Sequence, residues 1–354
     1  MDSKQENFMQ NLTWVVVLAA GDGKRLAGLT TDHQGRHVPK QFCSLQGGPS
    51  LFGLALARAR ALVPEDRVCA VVAKAHEHWW QPTAQAMQAG NLIVQPRNRG
   101  TGNGVLLALT YILKRDPQAR LIFLPADHHV LSEATLIQAM LSSLADMPAS
   151  SREIFLLGIE PDDADPELGY IIPQKTAKPG AQGVRHFIEK PSRAVAGKLI
   201  QEGGLWNSGV FAVSGDRLLE LFQERFPANV FGIKTVLDKM ADPISPSWAL
   251  NHLYERIPEV DFSHQVLQFH VGDLRVVPVP HCGWTDLGSS QRVGDRVRLL
   301  TDASLGTRDT SGNAACLDLA DAVIRADRSR QEAFDLRSAV GIHKLGNNTR
   351  RQSA

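Results

Sequence analysis

Directly after the apolar run Trp14–Ala20 come two glycines one residue apart and then two cations, Gly21-Asp22-Gly23-Lys24-Arg25. A glycine-rich turn leaving a parallel strand at its carboxyl end is where α/β folds receive phosphate, because exposed N–H groups and a helix N-terminus favour anions there. Gly21 and Gly23 let the backbone approach a triphosphate, and Lys24 and Arg25 supply charged donors. GxGxxG would need a glycine at Leu26, and GxxxxGK[ST] is absent, which disfavours a dinucleotide oxidoreductase and a P-loop NTPase. A Gly-Asp-Gly step is also an ordinary strand-to-helix turn. The next cation, Lys40, follows Pro39 at the end of a long Gly/His/Thr-rich loop, a pattern that suits a ligand-covering segment as well as a solvated surface lysine.

Carboxylates stand at matching places. LIFLPADHHV is an apolar strand that ends in Pro125-Ala126-Asp127, so Asp127 emerges at the strand's carboxyl end. Mg²⁺ takes one or two carboxylates plus substrate phosphate oxygens, and Asp286 in GWTDLGS is the second candidate; Asp127 also fits a helix N-cap. FIEKPS sets Glu189, a hydroxyl acceptor, beside Lys190, a phosphate donor, or else is a charged turn ended by Pro191. WNSG offers the Asn207 amide to hydroxyl groups, with Gly209 permitting close approach; a strand-edge packing pair is the alternative.

These groups need a sheet to hold them. Short β-branched runs alternate with Ala/Leu/Arg stretches, the pattern of buried parallel strands covered by helices, so the fold class is α/β. Strands are predicted at Trp14–Ala20, Arg67–Ala73, Leu92–Gln95, Leu121–Pro125 and Ile154–Gly158. Helices are predicted near Leu51–Leu62, His76–Ala89, Gly104–Lys114 and Ser132–Leu144. From Gly169 onward GYIIP, VRHFIEKP, WNSGVFAVS and LRVVPVP read as strands with fewer helices between them, as in a mixed sheet or subdomain. Residues 1–12 read as a tail and 301–354 as a small C-terminal extension, helical over Ala315–Val340. Within the domain, 13–160 forms a nucleotide half and 161–300 a sugar-phosphate half.

The 354 residues carry 38 Lys+Arg and 37 Asp+Glu, a net charge of +1, so no strong field marks the chain for nucleic acid or an anionic membrane. The longest apolar stretch is too short to span a bilayer and the first residues lack a secretory pattern, so the expectation is a soluble cytoplasmic protein. Cys43, Cys69, Cys282 and Cys316 show no CxxC spacing, and His76/His78 and His128/His129 lack the i, i+4 spacing of a helical metal site.

Taken in order, the motifs resemble the sugar nucleotidyltransferase family, most closely its mannose-1-phosphate guanylyltransferase branch. That pattern, GGxGxRLWPLSR followed by PKQF, is similar to Ala20–Leu26 and Pro39–Phe42. EPxxRNTAPA is similar to QPRNRGTGNG at Gln95–Gly104. PADH at Pro125–His128, GIEP then GYI at Gly158–Pro161 and Gly169–Ile171, EKP, WNSG and GWTDLGS follow in turn, so the resemblance covers Val15 to Arg292. Ala27-Gly28 stands where the family has Trp-Pro, and Gly102-Asn103 where it has Ala-Pro.

The resemblance implies a Rossmann-like, mostly parallel sheet flanked by helices. It also implies transfer of a nucleotidyl group, GMP from GTP being expected, to mannose 1-phosphate or a related sugar 1-phosphate. On this reading Ala20, Gly21 and Gly23 cradle the nucleotide and Arg97, Asn98, Gly100 and Thr101 border base and ribose. Arg25 holds the departing pyrophosphate and Lys40 the phosphates at the reacting centre, while Asp127 and Asp286 hold Mg²⁺. Gly169 and Tyr170 form the pocket wall, Glu189 and Asn207 meet sugar hydroxyls and Lys190 meets the sugar phosphate. A homodimer is compatible with it. The rival is a non-catalytic sensor of the same fold that binds a nucleotide sugar, or a transferase for another base or sugar.

Overall fold

The computed structural model describes residues 12–88, 90–148, 151–174, 176, 180–240, 248–303 and 317–326. The β-branched runs form β1 (Thr13–Ala19), β2 (Cys43–Ser44), β3 (Val68–Ala73), β4 (Leu92–Gln95), β5 (Arg120–Pro125) and β6 (Ile154–Ile159). After them come β7 (Tyr170–Pro173), β8 (Gln182–Ile188), β9 (Leu205–Ser214), β10 (Leu274–Val279) and β11 (Leu317–Asp318). All but β2 and β11 join one sheet in the order β4-β3-β1-β5-β9-β6-β10-β8-β7. Its helices are α1 (Leu51–Arg60), α2 (Glu77–Ala84), α3 (Gly100–Arg115), α4 (Glu133–Asp146), α5 (Arg193–Gln201), α6 (Gly215–Arg225), α7 (Pro227–Leu237), α8 (Trp248–Arg256), α9 (Phe262–Gln265) and α10 (Ser290–Ala303).

Alternation in β1 builds two cores. Val15, Val17 and Ala19 enter one hydrophobic cluster, and Trp14 and Val16 enter the cluster on the opposite face. A strand buried on both faces belongs inside a covered parallel sheet, and β1 pairs in parallel with β3 on one side and β5 on the other. The chain therefore turns outward in both directions at β1, and the crevice beyond its carboxyl end is where such sheets bind ligands. β9 runs antiparallel between β5 and β6. This direction brings its first residues, Trp206 and Asn207, opposite Ile159 and Gly158 at that same edge.

Several expectations shift. α3 begins at Gly100 rather than Gly104, because the Gly102 N–H finds an acceptor in the Val260 carbonyl at 2.7 Å, a long-range bond that glycine propensity does not reveal. α2 ends at Ala84, short of the expected Ala89, which lies outside the described residues. The part beyond Gly169 is not poor in helices: α5 to α8 lie there, and GDRLLELFQER and PANVFGIKTVL each bury an apolar stripe. The boundary at residue 300 falls within α10. Of the expected tail, residues 1–11 lie outside the described residues, as do 304–316 and 327–354 of the C-terminal extension.

The helix expected over Ala315–Val340 is a strand at Leu317–Asp318 and a helix at 319–326; the rest of that span is not described. β11 pairs in parallel with β2, Leu317 opposite Cys43. Leu319, fully buried, and Val323 then join the main core cluster. Among the described residues no helix is long and apolar enough to cross a membrane.

Candidate active site

A cleft of about 400 Å³ opens at the carboxyl ends of β1, β4 and β5. Of the residues expected to act, Ala20, Gly21, Asn98, Gly100, Thr101, Asp127 and Asn207 line it. Lys40 is buried beside it, and its Nζ lies 2.9 Å from Asp127 Oδ2 and donates to the Asp286 carbonyl oxygen. The chain shape behind this contact is local. Pro39 leads into a single 3-10 turn at Lys40–Phe42, and β2 follows at once, so Lys40 is fixed between a rigid residue and a paired strand.

Burial alone would raise the Asp127 carboxyl, but Lys40 and then His128 outweigh it and hold it down at about 2. Asp127 is therefore a carboxylate at neutral pH, with 38% of its side chain open to the cleft. The same burial pushes His128 below its ordinary value against the pull of Asp127, with Lys40 adding to the effect. His128 packs edge-on against Trp284 at 5.1 Å between ring centroids. One rung of antiparallel pairing, His129 N–H to Thr285 O at 3.0 Å and Thr285 N–H to His129 O at 2.8 Å, ties the Asp127 loop to the Asp286 loop.

Asp286 is more committed than its sequence suggests. Its Oδ1 accepts from Arg292 at 2.7 Å and from the Gly288 N–H at 3.0 Å. Arg292 also pairs with Asp165 at 2.7 Å and lies over the Trp206 ring. Burial opposes the Asp286 charge, while His128, Lys40 and Arg292 favour it, and the net shift is downward. Among the described residues no three His, Cys, Asp or Glu side chains converge as a metal cluster. For a magnesium ion, Asp127 fits as one hard, charged oxygen donor facing open space where phosphate oxygens complete the shell; Asp286 has only Oδ2 not already bonded to Arg292 and Gly288.

The glycine loop packs on this lysine segment. Gly23 is left-handed at φ 63°, and a Cβ there would sit 3.0 Å from the Lys40 amide nitrogen. Arg25, by contrast, lies at the surface, paired with Glu167 at 3.0 Å. Arg97 is exposed and paired with Glu255 at 3.1 Å. The charged residues expected to act thus divide: Lys40 touches both Asp127 and Asp286, while Arg25 pairs with Glu167 and Lys190 lies beside Glu189.

In the half expected to meet the sugar phosphate, Glu189 is pushed up to about 7, first by burial and then by Asp261, against the pull of Lys190 and His264. Its Oε2 is buried without a hydrogen-bond partner. It approaches Gly169 so closely that a Cβ there would lie 2.5 Å from it. Lys190 is half exposed, 4.0 Å from Glu189, on a backbone with φ 47°. Tyr170 is fully buried and donates to the Asp165 carbonyl at 3.0 Å, so it supports the loop rather than facing the cleft.

Sequence reasoning passed over three features. Gln95, 2% exposed, lines the cleft with its Oε1 buried and unpaired. The segment Glu259–Ser263 forms the facing wall: Val260 bonds both Arg99 and Gly102, and Phe262 N–H donates to Thr101 Oγ1 at 3.1 Å. Gln41 ties the glycine loop to the lysine segment. Gln95 and Gln41 lie inside recognisable motifs; nothing local marks Glu259–Ser263.

A sheet covered on both faces, a glycine loop at its switch point and a contact between buried Lys40 and Asp127 beside the cleft define a doubly wound α/β protein. The chain belongs to the nucleotidyl transferase family, whose model matches residues 14–296. It is 27% identical over 301 residues to mannose-1-phosphate guanylyltransferase 2 of Escherichia coli O157:H7, covering 79% of this chain and 59% of that protein. It is 28% identical over 290 residues to the alginate biosynthesis protein AlgA of Pseudomonas aeruginosa, covering 79% and 57%. The chain spans about half the length of the curated relatives it matches. Among solved structures it is similar to one described as mannose-1-phosphate geranyltransferase from Thermus thermophilus, with TM-score 0.69, 28% identity and coverage of 81% and 79%.

Proposed function

We propose that the protein transfers a nucleotidyl group, GMP from GTP, to mannose 1-phosphate, giving GDP-mannose and pyrophosphate. An oxygen of the sugar phosphate attacks the α-phosphorus, a new P–O bond forms, and the bond to the β-phosphate oxygen breaks as pyrophosphate departs. No protein nucleophile is needed, so the chain's task is positioning and charge neutralisation, and well-oriented reactants account for up to roughly 7–11 kcal/mol of barrier. The observation that carries the reading is the contact between buried Lys40 and Asp127 at 2.9 Å beside a cleft lined by Ala20 and Gly21.

Lys40 lies where it can neutralise phosphate charge, and Asp286 and Arg292 brace it through the Asp286 carbonyl. Magnesium, held by Asp127 with Asp286 Oδ2 as a second donor, would supply Lewis-acid neutralisation of the phosphate oxygens. Gln95, whose Oε1 has no partner, brings a carboxamide to the wall that meets the base, and Gly100 and Gly104 keep the wall beside it low. Glu189 accepts from sugar hydroxyls while ionised, Asn207 reads the ring, Lys190 takes the sugar phosphate, and Arg25 leaves Glu167 for the pyrophosphate. The name of the Escherichia coli relative at 27% identity supports guanine and mannose, and that of the Thermus thermophilus structure supports mannose.

The test is a matrix of nucleoside triphosphates against sugar 1-phosphates with Mg²⁺ or with a chelator, read as pyrophosphate. GTP with mannose 1-phosphate is expected to give the highest kcat/KM and to lose turnover with chelator. Nucleotide-sugar binding without pyrophosphate from any pair would favour the sensor instead.

A further inference from the structure

The loop that follows β1 has its carbonyl groups held from one side. Gln41, 3% exposed, spends both amide hydrogens on the backbone, donating to the Ala19 carbonyl at 3.0 Å and the Gly21 carbonyl at 2.8 Å. His37 Nε2 lies 2.9 Å from the Asp22 carbonyl oxygen. A carbonyl can only accept, so Nε2 carries the hydrogen. Thr30 Oγ1 lies 3.2 Å from His37 Nδ1 and 3.1 Å from the Leu26 carbonyl, and its one hydroxyl hydrogen serves one of these acceptors at a time. The His37 backbone is set by a bridge to Thr31 and by the neighbouring Val38 N–H to Thr30 O bond at 2.7 Å.

A trans peptide is planar, with its C=O and N–H pointing in opposite directions. Holding the Gly21 and Asp22 carbonyls therefore fixes where the Asp22 and Gly23 N–H groups point, away from the clamping side chains. Among the described residues neither of these N–H groups has an acceptor. Successive N–H groups turned to one side make an anion-binding concavity. An amide held in advance also costs less to order when the anion arrives.

We propose that His37 and Gln41 are positioning residues for the triphosphate. By holding two successive carbonyls of the glycine loop, they hold the Asp22 and Gly23 amides in the orientation that receives phosphate oxygens. The same short segment carries Lys40, so the amide donors and the catalytic cation are set by one piece of chain. This rests on the nucleotidyl-transfer reading for its ligand, and goes beyond it in assigning two side chains that act through the backbone of the glycine loop.

The experiment compares His37→Leu, which removes the donor, with His37→Gln, whose Nε2 can restore it, and adds Gln41→Met. Thermal unfolding first confirms that each variant is folded. GTP binding is then measured directly by calorimetry, alongside the KM for each substrate. The expected result is GTP affinity weakened about tenfold in His37→Leu, the order of one lost hydrogen bond. The mannose 1-phosphate KM is expected to stay within about twofold, and His37→Gln to recover to within about threefold of the parent. Gln41→Met is expected to weaken GTP at least as much, since two bonds are lost. A fall in melting temperature with unchanged GTP affinity, or equal losses for both substrates, would overturn the assignment. A parent that binds GTP but releases no pyrophosphate would remove the transferase and leave the clamp to be judged by binding alone.

Discussion

Lys40→Met keeps a side chain of similar length in the same slot and deletes its charge and donors. Breaking a fully buried ion pair from one side costs about 3–5 kcal/mol. Asp127 keeps 38% of its side chain open to the cleft, and solvent screening brings the expected loss of stability to the order of 2 kcal/mol. Its pH dependence carries a sign. The Asp127 pKa is about 2 in the fold against an ordinary 3.8, so its contribution is present above pH 3.8 and is lost as the pH falls toward 2. Urea denaturation of parent and variant should therefore differ fully from pH 5 to 8 and converge as the pH drops below about 4. With Lys40 gone, its charge and hydrogen bond no longer hold the Asp127 carboxyl down, so its pKa rises. Catalysis should fall by about 10²–10³ in kcat/KM, the effect of one preorganised donor at a site of developing charge. Activity within about threefold of the parent, or a stability gap as large at pH 3 as at pH 7, would refute the role given to this pair.

Gly100→Ala forces φ 80° on a residue with a Cβ and places that atom 2.3 Å from the Val260 carbonyl oxygen; a loss of about 1–3 kcal/mol is expected, with a raised GTP KM, and unchanged urea midpoints would count against the wall formed by Glu259–Ser263. Glu189 ionises only near pH 7, so the mannose 1-phosphate KM should rise as the pH falls below 7, and Asp261→Asn should move that limb to lower pH; a KM constant from pH 8 to about 5.5 would dismiss Glu189 as the hydroxyl acceptor. For stability the sign is opposite to that of Asp127: the raised pKa favours the fold below 4.5, and this benefit is lost as the pH rises through about 7. Leu319→Ala opens a cavity in the main core and should cost about 2–5 kcal/mol in urea denaturation, whereas a loss under about 0.5 kcal/mol would mean that the 317–326 segment does not hold its place.

The strand ends were legible because their physics is local. An apolar run ending in Pro-Ala-Asp puts Asp127 at a carboxyl edge, and a proline before Lys40 takes that lysine out of a regular element. The direction of β9 was not legible, since period-two alternation is the same for a parallel and an antiparallel strand, yet that direction brings Asn207 to the cleft. No role for Arg292 was legible in the sequence; its grip on Asp286 and Asp165 depends on where α10 docks. Glu259–Ser263 carries no turn or period that announces a role. It reaches the site through bonds between Val260 and the Arg99–Gly102 segment, which no window of neighbouring residues contains. Arg25 was placed by its motif, and its partner Glu167 sits in a loop the motif does not include.

The pairing of Leu317 with Cys43 sets an order of events during protein synthesis. The segment that bears Lys40 leaves the ribosome early, but the strand that flanks it is translated only after the whole sheet has been made. Closing so long a loop is a late and entropically costly event. A nascent chain can thus assemble its cleft while the strand that pairs with Cys43, three residues beyond Lys40, is still unmade.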